Sequence, residues 1–300
     1  DQTEVKPYFQ LEKLIEAQFF VANQLFGVTF SERTDIPVYL PDVRVWEVRD
    51  AAGATVGLFY GDYFARPTKN SGAWMSSFAD QERINGNVIP LILNNCNYNR
   101  GAPGEPVLLS LDDARTLFHE FGHALHGLLS NVTHPRIAGT SVPRDFVEFP
   151  SQVYEHWLME DEILKRFAVH VETGKPIPDA LIAKIRAARN VGQGFATVEF
   201  VASAIVDMDF HQLTSAEGLD VDAFEKASLA RIGMPREITM RHRTPHFSHV
   251  WGGGYAAGYY SYLWSEILDA DGFDAFKEAG NIFDPETAAR LYQFVYSAGN

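Results

Sequence analysis

Apolar residues recur at helical spacing across residues 5–26, and Gly27 follows where a helix takes a left-handed stop. The period then changes. Runs rich in β-branched and aromatic residues at 36–40, 43–49, 55–60 and 88–93 predict short strands. Asp50 and Gly53 separate the second run from the third as a hairpin needs, and Gly57 interrupts the third. A small sheet is therefore expected over about residues 36–95. Helical spacing returns with Leu111, Ala114, Leu117, Phe118, Phe121, Leu125, Leu128 and Leu129, behind an N-cap signal from Ser110 and Asp113. Beyond residue 130 the pattern predicts helices at 150–171, 178–190, 197–213, 221–232, 256–270 and 285–296. Pro150, Pro178 and Pro285 fall near helix starts, where a missing N–H costs least. The fold class is thus mainly α with a small β-sheet, α+β. Residues 192–194 and 217–222 are ordinary connectors, so residues 1–300 read as a single region without repeats.

Composition narrows the function classes. The chain has 300 residues, 46% of them hydrophobic and 21% charged, enough for a large core. No run of 18 apolar residues occurs, so no membrane span is expected. A net charge of −14 argues against nucleic acid and favours neutral or cationic small partners. The lone Cys96 excludes an internal disulfide and reads as a small buried hydrophobe, which suits a reducing, cytoplasmic setting. Asn131-Val132-Thr133 matches a glycosylation acceptor, and nothing else indicates secretion.

The chemistry lies within the helical stripe. His119 and His123, four residues apart, share one helix face and can reach a single ion, with Glu120 between them as general base. His126, three residues beyond His123, is not required by the motif and reads as structural or as a support to the ligands. A catalytic zinc needs a third protein ligand and keeps one position open. The metzincin pattern would place glycine and histidine where His126 and Leu129 stand, so that class is excluded. The remaining source is a glutamate on a following helix. Glu148 opens one, and Glu155 lies two turns along the same face, so spacing offers Glu148 or Glu155 as ligand and Glu155 also as an orienting partner.

A second constellation follows His249. Gly252, Gly253 and Gly254 precede Tyr255, Tyr259, Tyr260 and Tyr262, and the spacing puts Tyr255, Tyr259 and Tyr262 on one helix face, with Tyr260 on the other. Phenols in such an array can donate to the oxyanion of amide hydrolysis. Arg144, Arg241, Arg243 and His246 are available cations for a substrate carboxylate.

Residues 118–129, 144–152 and 249–264, with 60–66 and 72–75, resemble the thimet-oligopeptidase-like (neurolysin-like) zinc metallopeptidases, and among these most resemble bacterial peptidyl-dipeptidases of the Dcp type. The resemblance implies a gluzincin-type catalytic domain with one zinc on His119, His123 and Glu148. It implies Glu120 as base and proton shuttle, Tyr255 and Tyr262 as oxyanion donors, and His249 as a substrate contact. Its segment Gly252 to Gly254 matches a mobile loop of the family. The implied activity is hydrolysis of short peptides with release of C-terminal dipeptides. Broad endopeptidase action and an inactive zinc-bearing peptide-binding module are the alternatives. Only the catalytic half is matched, since the family carries a helical lobe before the region of Asp1 and a short helical tail after that of Asn300. That lobe is an expected partner, alongside peptide substrates.

Overall fold

Ser110 and Asp113 open the central helix as the sequence predicts. The Ser110 hydroxyl accepts the Asp113 N–H at 3.0 Å while the Asp113 carboxylate takes the Ser110 N–H at 3.0 Å, a reciprocal cap on α3 (Leu111–Leu128). The computed structural model describes residues 2–84 and 86–300. Ahead of α3 lie two short turns, α1 (Gln2–Val5) and a 3-10 turn at Lys6–Tyr8, then α2 (Leu11–Phe26). Pro7 divides what the periodicity predicts as one helix from residue 5. Gly27, at φ 68°, closes α2 as expected.

Five strands follow: β1 (Thr29–Glu32), β2 (Arg44–Arg49), β3 (Thr55–Phe64), β4 (Trp74–Ala79) and β5 (Leu91–Tyr98). Their order is β1-β2-β3-β5-β4, antiparallel throughout except for the parallel β3/β5 pair. The hairpin at Asp50 and Gly53 joins β2 to β3. Three expectations are corrected. Residues 36–40 form no strand: Pro37 and Pro41 remove ladder donors, and Tyr39 instead donates to Asp62 at 2.7 Å. Residues 88–93 give way to Leu91–Tyr98, because Pro90 delays the strand and Asn94, Asn95 and Asn97 continue it. Edge strands β1 and β4 are missed: β1 is short, polar and mostly exposed, and Ser76 and Ser77 interrupt the apolar pattern of β4.

Later helices are α4 (Arg144–Val147), α5 (Phe149–Leu158), α6 (Asp161–Phe167), α7 (Asp179–Ala188), α8 (Gln193–His211), α9 (Val221–Arg231), α10 (Ser248–Trp251), α11 (Ser261–Glu278) and α12 (Pro285–Leu291). The helix expected at 150–171 breaks at Glu160, whose extended backbone (ψ 142°) starts α6. The helix expected at 256–270 begins only at Ser261, and that expected at 285–296 ends as a π-turn over Tyr292–Tyr296. Among the described residues no helix is long and apolar enough to cross a membrane.

Two compact units result. The first comprises the chain up to Pro143, Val147–Pro178 and Glu266–Asn300; the second comprises Arg144–Phe146 and Asp179–Ser265. In the first, α2 and α3 close on the sheet through an aromatic core. Phe19 stacks on Phe30 at 4.1 Å, and Phe121 of α3 meets Phe59 at 5.2 Å and Tyr154 at 5.7 Å. The second is built on Val206, Phe210, Met240, Phe247, Val250 and Tyr259.

Candidate metal centre and tyrosine turn

The first unit carries the histidine motif. His119 and His123 stand one turn apart on α3, ring centroids 4.9 Å apart and nearly perpendicular. Glu148 reaches both from the N-cap of α5, its Oε2 3.1 Å from each Nε2. What allows this approach is Gly122. A Cβ there would lie 2.6 Å from both the Pro150 carbonyl oxygen and the Ser151 Cα, so only glycine lets α5 cross α3 at this height. Ser151 then donates its hydroxyl to the Glu148 carbonyl oxygen at 2.8 Å and to Oε2 at 3.1 Å, fixing the carboxylate.

Glu155, two turns along α5, sits 2.7 Å from His119 Nδ1 and therefore orients that ring rather than joining the cluster. Of the two glutamates that spacing offers, Glu148 is the one that completes a group of three with His119 and His123, their candidate ligand atoms all within 4.8 Å of one another. An ion about 2.0–2.1 Å from three tetrahedral donors holds them about 3.3 Å apart, close to the separations seen between Glu148 and the two imidazoles. The cluster can hold a metal.

Burial alone would raise the Glu148 carboxyl, but His123 and His119 beside it hold it well below its ordinary range. Burial would lower His119, but its hydrogen bonds to Glu148 and Glu155 leave it well above its ordinary range. An imidazole binds a metal only in its neutral form, so a metal and a proton compete for this ring. Glu120 is buried, and burial raises its carboxyl against the opposing pull of His119 and His123. Its Oε2 meets no hydrogen-bond partner among the described residues.

His126 is fully buried against Tyr296, with neither ring nitrogen partnered among the described residues. Burial, helped by His123, brings it down to about 3. The unfolded chain, titrating near 6.5, binds more protons between those values, so this residue's contribution is full above pH 6.5 and is lost as pH falls towards 3. The loss is on the order of 5 kcal/mol. Urea melts at pH 7 and pH 5 are expected to show that His126→Leu narrows the stability gap between the two.

The second unit carries His249 and the tyrosines. The helical face expected for Tyr255, Tyr259 and Tyr262 is corrected: residues 255–260 form a turn ahead of α11, because Ala257 takes a left-handed φ of 50° that no helix accommodates. Tyr255 and Tyr262 nevertheless stack at 5.2 Å and 17°, with His249 5.9 Å and 6.4 Å away. Tyr259 is buried on Phe200 and Phe247, and Tyr260 is exposed, bonding Asp145 at 3.1 Å. Arg144 lies 4.6 Å over the Tyr255 ring, where Gly254 and Gly258 leave it room. Arg243 is held by Asp222 at 3.0 Å and Glu225 at 2.6 Å, a structural use of one candidate cation. Sequence reasoning missed Asp207, whose sign was an acid within the apolar stretch of α8.

The chain is 46% identical over its whole length to the dipeptidyl carboxypeptidase of Escherichia coli K12, covering 44% of that protein. It is 38% identical over 99% of its length to oligopeptidase A of the same organism, again covering 44%. It is 31% identical over its whole length to the thimet-like oligopeptidase of Dictyostelium discoideum, covering 45%. The chain thus spans less than half the length of these curated relatives. The model of "Peptidase family M3" matches residues 1–300, and with relatives of this kind along the same span, the chain belongs to peptidase family M3.

Proposed function

We propose that residues 1–300 form one catalytic region, of gluzincin type, that hydrolyses peptide bonds in short peptides and releases dipeptides from the C-terminus. The observation that carries this reading is the convergence of His119, His123 and Glu148 in one cluster beside Glu120, with His119 half-buried and the other three buried. Two imidazoles and a carboxylate are a zinc donor set with room for a fourth position. A bound zinc supplies a Lewis acid that polarises the peptide carbonyl and lowers the pKa of water towards about 7. Glu120 takes the proton of the attacking water and passes it to the leaving amine. Glu155 keeps His119 in the orientation that presents Nε2. Tyr255 and Tyr262 donate their phenol hydrogens to the oxyanion, and His249 contacts substrate.

Strand β4 supports the peptide substrate class. It is one of the sheet's two edge strands and the one that packs on α3 through Met75 at Gly127, so an extended peptide can add to its edge by main-chain hydrogen bonds. Release of dipeptides is supported by the name of the relative at 46% identity. Broad endopeptidase action is the second reading, favoured by the 38% identity to an oligopeptidase. A cytoplasmic setting fits the unpaired, buried Cys96.

Mass spectrometry of the products from a ten-residue peptide tests the specificity. Stepwise loss of dipeptides from a free C-terminus, blocked when that terminus is amidated, is expected. Internal cuts that ignore amidation would replace this reading with the endopeptidase.

A further inference from the structure

The tyrosine turn would not hold one shape by itself. Gly252, Gly253, Gly254 and Gly258 surround it with backbone freedom, while Ala257 is the one non-glycine at positive φ among the described residues, at 50°. Something must keep Ala257 there. Asp207, one turn before the end of α8 and 1% exposed, accepts the Ala257 N–H on Oδ1 and the Tyr259 N–H on Oδ2, both at 3.0 Å. Its own orientation is set from α8, where His211 Nδ1 lies 2.8 Å from both Oδ1 and the Asp207 carbonyl oxygen. A carboxylate taken out of water to receive two consecutive odd-numbered amides of one turn is a clamp on that turn.

We propose that Asp207 is a positioning residue: it holds residues 255–260 in the strained turn that stacks Tyr255 on Tyr262, and so sets the two phenols for the oxyanion. The last step rests on the peptidase reading; the clamp itself does not. The charge is what matters. In Asp207→Asn the amide nitrogen must face one of the two N–H groups, so one acceptor is lost, that N–H is left without it, and the turn relaxes.

The test compares wild-type zinc-loaded protein with Asp207→Asn and Ala257→Val. Valine is β-branched and resists positive φ, so it releases the turn while leaving Asp207 and α8 intact. Both variants are expected to speed hydrogen exchange of the Tyr259 amide by roughly tenfold or more, with α8 protection unchanged in Ala257→Val. Both are expected to lower kcat on a short quenched peptide by about 10- to 100-fold, with KM changed less than about twofold and zinc content unchanged. Adding Ala257→Gly to Asp207→Asn is expected to recover part of kcat, because glycine takes this φ without strain. Unchanged exchange at Tyr259 in Ala257→Val overturns the clamp. A kcat loss that merely follows loss of zinc or of folded protein overturns the positioning role. If wild-type protein cleaves nothing, the exchange data still decide the clamp, and the peptidase reading alone fails.

Discussion

Glu120→Gln is expected to abolish peptide hydrolysis while leaving the metal in place. Glutamine keeps the length of the side chain at a buried position, so neither α3 nor the approach of Glu148 to His119 and His123 should change. What disappears is a carboxylate able to accept a proton from water and return it to the amine. Positioned acid–base groups contribute about 10²–10⁴ in rate, so kcat/KM should fall by that factor. At about 1.4 kcal/mol per decade this is roughly 3–5 kcal/mol of transition-state stabilisation. Quenched-peptide kinetics together with metal analysis check it: full metal content with residual activity below about 1% is the expected pair. Wild-type rates in this variant would remove Glu120 from the mechanism.

The second large effect belongs to a residue with no chemistry. Gly122→Ala in an open helix would gain about 1 kcal/mol of helix propensity. Here the new Cβ meets the Pro150 carbonyl oxygen and the Ser151 Cα at 2.6 Å each, and both are backbone. Neither can rotate away, so the first turn of α5 must retreat. Overpacking of this kind costs about 1–3 kcal/mol, which exceeds the propensity gain. The retreat also carries Glu148 away from His119 and His123, and because loss of the groups that merely orient metal ligands costs about 10–100-fold in affinity, a loss of at least about tenfold is expected. Urea unfolding and zinc titration of the variant should show both losses. A stabilised variant with unchanged zinc affinity would mean that α3 and α5 do not cross this closely.

Much of this centre is legible in the sequence because it is local. A period of 3.6 puts His119, Glu120 and His123 in fixed relation, and Ser110 with Asp113 announces the helix that holds them. Glu148 is legible only as one of two glutamates, since its approach depends on where α5 crosses α3, and spacing within a helix carries no information about a crossing. The purpose of Gly122 is hidden for the same reason. Strand β4 escapes because it is short and Ser76 and Ser77 in its middle break the alternation of apolar residues. The start of α11 is misread because the tyrosines keep a helical interval while Ala257 breaks the backbone. That break is maintained by Asp207, whose Oδ1 bonds an amide 50 residues further along the chain.

The most direct test of the central claim is a zinc measurement on the purified chain, made with and without a chelator alongside cleavage of a short quenched peptide. One zinc per chain, lost in Glu148→Gln and His123→Ala, with cleavage that stops on chelation and returns on adding zinc, is the predicted result. Zinc without cleavage would point to a peptide-binding module rather than an enzyme. Cleavage that persists in the chelator, or zinc that survives loss of Glu148 and His123, would contradict the account.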